Sequence, residues 1–121
     1  MQKIIAILDD EQEMGEIYHL LLEKEIVEKK IHFYFFSDSR LFARWIEGNR
    51  PDVVLTDLNM PFLTGQEVIR LVRNKYSTAK TYIISGDVED EHQKVMKELG
   101  VSSFLSKPIN FQSFQGTLNL T

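Results

Sequence analysis

The chain of 121 residues contains no cysteine, which excludes a disulfide framework and a thiolate metal site. Basic residues are in the minority, because 14 Lys and Arg stand against 18 Asp and Glu and give a net charge of −4 at pH 7. Nucleic acids and anionic membrane surfaces bind proteins through local excesses of Lys and Arg. Direct binding to nucleic acid or to a membrane is therefore not expected.

Long apolar runs are also absent. Residues 4–8 are apolar but end at Asp9, which makes the run too short for the core of a signal peptide. No stretch reaches the roughly 18 apolar residues that a transmembrane helix needs. There is no internal repeat, low-complexity segment or linker, and 43% of the residues are hydrophobic. We therefore expect one globular domain over residues 1–121, located in the cytoplasm.

Short apolar segments alternate with longer segments of helical periodicity. The short segments are rich in Ile, Val and Phe and bounded by turn residues, which predicts five strands at residues 4–8, 31–36, 53–56, 81–85 and 103–105. Five helices are predicted at residues 11–29, around residues 41–46, after a capping box at Thr64 and Glu67, from Asp87 to about residue 99, and after Pro108. The last helix contains Gly116 and should be short.

Strict alternation of strands and helices predicts a parallel sheet covered on both faces, which is a three-layer α/β sandwich. Polar side chains stand at the carboxyl ends of the predicted strands. Asp9 and Asp10 follow the first strand, Asp57 the third, Ser85 ends the fourth, and Lys107 follows the fifth. Because the carboxyl ends of parallel strands share one edge of the sheet, we expect these residues to converge there.

Three adjacent carboxylates repel one another unless a cation lies between them. Mg²⁺ is the expected ion, because it prefers oxygen ligands and leaves positions open for a phosphoryl oxygen. Beside such an ion, Asp57 can act as a nucleophile and form an aspartyl phosphate. Lys107 would balance the charge of the incoming oxygens, and the Ser85 hydroxyl could donate a hydrogen bond to one of them.

In this ordered set of residues the chain resembles the response-regulator receiver domains, the phosphoacceptor modules of two-component signalling. The resemblance covers essentially the whole chain. The matching residues are Asp9, Asp10 and Glu11 after the first strand, Asp57 with Met60, Pro61 and Gly65 after the third, Ser85 and Gly86 after the fourth, and Lys107 and Pro108 after the fifth. The resemblance implies the flavodoxin-like strand order 2-1-3-4-5. The main departure is the uncharged, glycine-containing segment that follows Asn110.

The family's site residues carry over to matching positions. Asp9, Asp10, Asp57 and the backbone carbonyl of Asn59 are implied to hold Mg²⁺. Ser85 and Phe104 match the switch residues, Lys107 matches the active-site lysine, and its bond to Pro108 is expected to be cis. Asn59 and Asp87 match positions that flank the attacking water and tune dephosphorylation.

The implied function is that of a signalling domain rather than a metabolic enzyme. Asp57 would take a phosphoryl group from a histidine kinase or histidine phosphotransfer protein, with only self-catalysed phosphotransfer and autodephosphorylation. Movement of Ser85 and Phe104 would reshape the face formed by the helix at residues 88–99, the fifth strand and the fifth helix. A downstream protein or output domain would bind there. Because Phe104 lacks a tyrosine hydroxyl, its inward state has no polar group to satisfy.

Other interpretations stay open at this point. Asp9 and Asp10 could simply cap the first helix, and Lys107 alone reads as a surface lysine. The chain could also be a degenerate receiver that binds partners without phosphorylation. A haloacid-dehalogenase-type phosphatase would carry Asp-x-Asp-x-Thr after the first strand, whereas the acceptor loop here follows the third. In a flavodoxin, Asp9 and Asp10 would repel the cofactor phosphate.

Overall fold

The computed structural model describes residues 2–86, 94 and 97–118. Ten elements have defined bounds within these residues. They are β1 (Lys3–Leu8), α1 (Met14–Leu21), α2 (Glu23–Val27), β2 (Ile31–Phe36), α3 (Ser39–Trp45), β3 (Val53–Asp57), α4 (Gly65–Lys75), β4 (Lys80–Ser85), β5 (Ser103–Ser106) and α5 (Phe111–Leu118). The helix predicted from Asp87 falls largely outside the described residues, although positions 94, 97 and 98 are helical.

The five strands form one parallel sheet in the order β2-β1-β3-β4-β5, which confirms the predicted topology. The register aligns the carboxyl ends of the strands. Leu8 lies opposite Thr56, Asp57 opposite Ile84, and Ser85 opposite Ser106. The residues that follow these positions therefore leave the sheet at one edge, and that edge carries the candidate site.

Alternate residues of each strand point to opposite faces of the sheet, and each face has its own apolar core. On one face, strand residues such as Ile7 and Leu55 pack with Tyr18 and Leu22 of the α1–α2 segment and with Phe114 of α5. The core of the other face joins strand residues to residues of α3 and α4, namely Ala6, Leu8, Val54, Phe42, Ile46, Val68 and Val72. Each fully buried Ile or Leu side chain contributes roughly 1.5–3 kcal/mol, so both layers are needed for stability. The three-layer sandwich is thus confirmed.

The predicted first helix differs from the one observed. Residues 11–29 form two shorter helices, α1 from Met14 and α2 ending at Val27, with a break at Leu22. The Leu22 N–H is shared between the carbonyls of Tyr18 and His19, so the last turn of α1 is tightened. Leu22 is fully buried, and the break lets the chain turn while Leu22 packs in the core. Sequence periodicity alone could not reveal this tertiary constraint.

Helix α4 begins as the sequence predicts. The Glu67 N–H donates to Thr64 Oγ1 at 3.2 Å, and the Thr64 N–H donates to Glu67 Oε1 at 3.1 Å. This reciprocal capping box fixes the end of the loop that follows Asp57. Helix α5 is short, with eight residues, and continues through Gly116. None of the helices in the described part of the chain has the length and apolar character that a bilayer crossing requires.

Candidate functional site

The end of β1 supplies one buried and one exposed carboxylate. Asp9 is fully buried, and its Oδ1 accepts a hydrogen bond from the Glu11 N–H at 3.0 Å. Asp10, next in the chain, is exposed. Neither residue is the N-cap of α1, because that position is Glu13, which makes no side-chain capping bond. The capping interpretation of the acidic pair is therefore wrong.

Burial raises the pKa of Asp9 above its ordinary value, because a charged carboxylate loses hydration in the interior. The hydrogen bond from the Glu11 N–H and the charge of Lys107 oppose this rise, and the charge of Asp57 adds to it. Tyr18 donates its phenolic hydroxyl to Asp9 Oδ2 at 3.4 Å. Burial, with the nearby Asp9 charge, raises the pKa of Tyr18, so its hydroxyl stays protonated as a donor.

Asp57 is the last residue of β3 and is 7% exposed. Its Oδ1 accepts a hydrogen bond from the Asn59 N–H at 3.3 Å. The loop after it folds back tightly, because the Gly65 N–H donates to the Leu58 carbonyl at 2.8 Å. A Cβ at Gly65 would lie 2.5 Å from the Asp57 carbonyl oxygen, so only glycine fits this close approach.

Lys107 reaches the acidic cluster from the end of β5. Its backbone N–H donates to the Ser85 carbonyl at 3.0 Å, which continues the pairing of β4 and β5, and its bond to Pro108 is cis. The ammonium nitrogen lies 2.7 Å from Asp57 Oδ2 and 3.4 Å from Asp9 Oδ2. Burial acts to lower the pKa of Lys107, but the hydrogen bond and charge of Asp57, with the charge of Asp9, outweigh it and raise the pKa.

The three carboxylates lie close enough to share a cation. One oxygen each from Asp9, Asp10 and Asp57 lies within 4.8 Å of the others. This oxygen-only set suits a hard divalent ion, and the exposure of Asp10 leaves the cluster open to solvent. Lys107 offsets only part of the negative charge, so the cluster retains an attraction for a further cation.

The other predicted site residues differ from one another in burial and location. Ser85 is buried at the carboxyl end of β4, and Asn59 is exposed in the loop after Asp57. Phe104 is partly buried against Leu58 and Ile83, and it also lines a surface cavity of about 340 Å³ beside β5 and α5. Asp87 lies outside the described residues.

Two further residues contribute to the site and were missed by the sequence reasoning. Tyr18 lies in the apolar stripe of α1. A residue with a polar hydroxyl at a core-facing position was the sequence signal that could have identified it. Ser39, buried at the start of α3, donates to the Pro61 carbonyl at 2.9 Å and accepts from the Leu63 N–H at 3.0 Å. Ser39 thereby ties the loop after Asp57 to α3. No local sequence signal predicts that contact.

Residues 5–119 match the family model of the response regulator receiver domain. The chain belongs to this family. Receiver domains are signalling modules of two-component response regulators, and this receiver shares 34% identity over 113 residues with the regulatory protein VirG of Agrobacterium tumefaciens (strain 15955). It shares 33% over 110 residues with the response regulator GtcR of Aneurinibacillus migulanus.

The matched region covers 93% of this receiver but 40% of VirG, and 91% of the receiver but 43% of GtcR. The chain therefore spans less than half the length of these relatives. Among solved structures, the chemotaxis response regulator CheY4 of Vibrio cholerae aligns with a TM-score of 0.85 and 22% identity, over 98% of each chain. A DrrB receiver domain described as BeF3-activated aligns with a TM-score of 0.85 and 18% identity, over 98% of this chain and 96% of that one. These structures share the fold of the receiver.

Proposed function

We propose that Asp57 accepts a phosphoryl group from a histidine kinase or a histidine phosphotransfer protein. The observation that carries this proposal is the position of the Asp57 carboxylate, which is nearly buried, lies beside the carboxylates of Asp9 and Asp10, and contacts the Lys107 ammonium. The resulting change of shape then controls binding of a downstream protein or output domain. Catalysis by the receiver is limited to its own phosphorylation and autodephosphorylation.

In the transfer step, one carboxylate oxygen of Asp57 forms a bond to phosphorus while the phosphorus–nitrogen bond of the phosphohistidine breaks. The donor histidine nitrogen keeps the bonding electron pair, and the product is an acyl phosphate on Asp57. Lys107, which contacts Asp57 Oδ2 before the reaction, moves its ammonium to a phosphoryl oxygen. The Ser85 hydroxyl donates a hydrogen bond to another phosphoryl oxygen.

The donor set fits Mg²⁺, because three carboxylate oxygens lie within 4.8 Å of one another beside the acceptor. Asp9, Asp10 and Asp57 would hold the ion together with the backbone carbonyl of Asn59. When bound, Mg²⁺ neutralises negative charge on the carboxylates and on the phosphoryl oxygens. Asp9, held by the Glu11 N–H, would provide a fixed ligand, whereas exposed Asp10 could adjust its position.

Removal of the phosphoryl group requires water to attack the phosphorus in line. We infer that Asn59 and Asp87 flank the path of that water, so their side chains set the lifetime of the aspartyl phosphate. Asn59→Ala and Asp87→Ala should change the rate of phosphate release without preventing phosphorylation. Decay of the phosphorylated protein, followed by intact mass, measures that rate.

The two rival functions have less support. A phosphorylation-independent binding module has no need for a lysine ammonium bonded to two buried carboxylates. A haloacid-dehalogenase-type phosphatase would place its nucleophile after the first strand, whereas Asp57 ends β3. We therefore favour the phosphoacceptor role. We also propose that residues 1–121 form a single receiver domain that acts in the cytoplasm, without direct contact with nucleic acid or a membrane.

Incubation with acetyl phosphate and Mg²⁺, followed by intact-mass measurement, tests the function. The wild-type chain should gain the mass of one phosphoryl group, and Asp57→Asn should fold but gain none. Asp38→Asn is the matched control, because the asparagine oxygen can still accept the Arg40 N–H bond at the start of α3. Full incorporation by Asp57→Asn would overturn the assignment of the acceptor.

A further inference from the structure

The side chain of Tyr18 joins the acidic cluster to the hydrophobic core. Tyr18 is fully buried in α1, and its hydroxyl donates to Asp9 Oδ2 at 3.4 Å. Its ring contacts two other rings, with centroid distances of 6.2 Å to Phe35 of β2 and 6.1 Å to Phe114 of α5. These two contacts and full burial restrict the ring, so the hydroxyl is held beside Asp9.

Gly15, one turn before Tyr18, makes this packing possible. A Cβ at Gly15 would lie 2.9 Å from Cδ2 of Phe35. The absence of a side chain therefore lets Phe35 approach α1 closely enough to pack on the Tyr18 ring. A glycine inside a helix normally costs stability relative to alanine. The close contact with Phe35 explains why glycine stands at position 15.

We propose that Tyr18 is a positioning residue that orients the Asp9 carboxylate for cation binding; this inference rests on the metal-dependent function proposed above. Within the described part of the chain, Asp9 receives the Glu11 N–H on Oδ1, and the Tyr18 hydroxyl and Lys107 ammonium on Oδ2. Lys107 leaves the carboxylates for a phosphoryl oxygen in the proposed reaction. Tyr18 then remains as the side-chain donor that fixes the rotation of Asp9.

Groups that hydrogen-bond to metal ligands commonly change metal affinity by tenfold or more when removed. Tyr18→Phe keeps the ring and its packing but removes the donor to Asp9. Tyr76→Phe is the matched control, because the Tyr76 hydroxyl donates a bond of similar length, 3.3 Å, to the Ile46 carbonyl between α3 and α4. That bond joins two residues that lie outside the acidic cluster.

Calorimetric titration with MgCl₂ should show that Tyr18→Phe raises the Mg²⁺ dissociation constant by on the order of tenfold, whereas Tyr76→Phe leaves it unchanged. Phosphorylation of Tyr18→Phe by acetyl phosphate should be slow at low Mg²⁺ and recover at saturating Mg²⁺. Equal Mg²⁺ affinities in the two variants would overturn the role of Tyr18 but leave the metal site standing. Absence of Mg²⁺ binding by the wild-type chain would instead overturn the metal site, and the role of Tyr18 with it.

A measurement on the wild-type chain decides the question even if Tyr18→Phe does not fold. With ¹³C-labelled tyrosine, addition of Mg²⁺ should shift the Cζ resonance of Tyr18, because its hydroxyl donates to a carboxylate that acquires a cation. The Cζ resonance of Tyr76 should stay in place. A Tyr18 resonance that does not move while Mg²⁺ binds would overturn the proposal.

Discussion

The Lys107 ammonium nitrogen lies 2.7 Å from Oδ2 of Asp57, a residue fifty positions earlier in the chain. Asp57 closes β3 and Lys107 follows β5, so the contact spans the end of β4, the strand that lies between them. Lys107 therefore partly neutralises the acidic cluster before any cation or phosphoryl group arrives.

Removal of the Lys107 charge should destabilise the receiver most in the absence of Mg²⁺. Lys107→Met should lower the free energy of unfolding by about 1–3 kcal/mol in EDTA, because hydrogen bonds to charged partners have roughly this value. Lys75→Met breaks the exposed Lys75–Glu47 pair and should cost little stability, because solvent screens exposed ion pairs. Added Mg²⁺ should restore stability in the first variant more than in the second. Equal losses of unfolding free energy in the two variants, unaffected by Mg²⁺, would contradict the charge-balancing role of Lys107.

Mg²⁺ should raise the melting temperature of the wild-type chain, because the ion relieves repulsion that exists only when the carboxylates are folded together. At a free concentration ten times the dissociation constant, the gain is about 1.4 kcal/mol. Asp10→Asn should reduce this gain, and Glu23→Gln, a change in α2, should leave it intact. Differential scanning calorimetry with and without millimolar Mg²⁺ measures both. Identical melting of wild type and Asp10→Asn under the two conditions would exclude a metal site at these carboxylates.

Asp9→Asn should stabilise the Mg²⁺-free chain at neutral pH. Burial raises the folded-state pKa of Asp9 above its ordinary value of 3.8, so the charged form opposes folding above that raised pKa. The gain in the variant should therefore shrink as the pH falls toward 3.8. Urea unfolding across this pH range is the measurement.

Asp38→Asn provides a contrast of opposite sign. The hydrogen bonds from Arg40 lower the pKa of Asp38, so its contribution to stability is present above the ordinary value and is lost as the pH falls through the lowered pKa. Replacement of Asp38 should therefore destabilise the chain at neutral pH. The same sign of change in both variants would contradict the burial argument for Asp9.

Gly65→Ala should destabilise the receiver by about 1–3 kcal/mol, as overpacking in a tight region does. The new Cβ would lie 2.5 Å from the Asp57 carbonyl oxygen, so the acceptor loop must shift and phosphorylation should slow. Gly116→Ala is the control in α5, where no described atom outside the helix's own backbone and the two chain neighbours lies within 4 Å of the added carbon. That variant should gain about 0.5–1 kcal/mol. Chemical denaturation compares the two, and tolerance of alanine at Gly65 would refute the packing argument.

Phosphorylation should alter the surroundings of Phe104. Its ring is partly buried against Leu58 and Ile83, and we expect it to move when Ser85 turns toward the phosphoryl oxygens. NMR spectra with beryllofluoride, a phosphoryl mimic, should show shifts at Phe104 as well as around Asp57. Asp57→Asn should show neither set. Shifts confined to the Asp57 pocket would argue against the switch.

Much of this architecture follows from local sequence. Apolar runs rich in Ile, Val and Phe predicted all five strands within one or two residues, because extended segments buried on both faces need such side chains. The capping box at Thr64 and Glu67 was also predictable, since its two hydrogen bonds join residues three positions apart. The convergence of Asp9, Asp10 and Asp57 was predictable because parallel strands bring their carboxyl ends to one edge.

The break at Leu22, the Tyr18–Asp9 hydrogen bond and the tie between Ser39 and the acceptor loop were decided by the tertiary structure. Each depends on which face of one element packs against another, and local periodicity does not carry that information. The same reason explains the double contact of Lys107, whose ammonium meets both Asp9 and Asp57. The sequence by itself determined which chemical groups stand at the strand ends. The packing of α1 on the sheet and the pairing of β5 with β4 determined the distances between these groups, and with them the charge balance of the site.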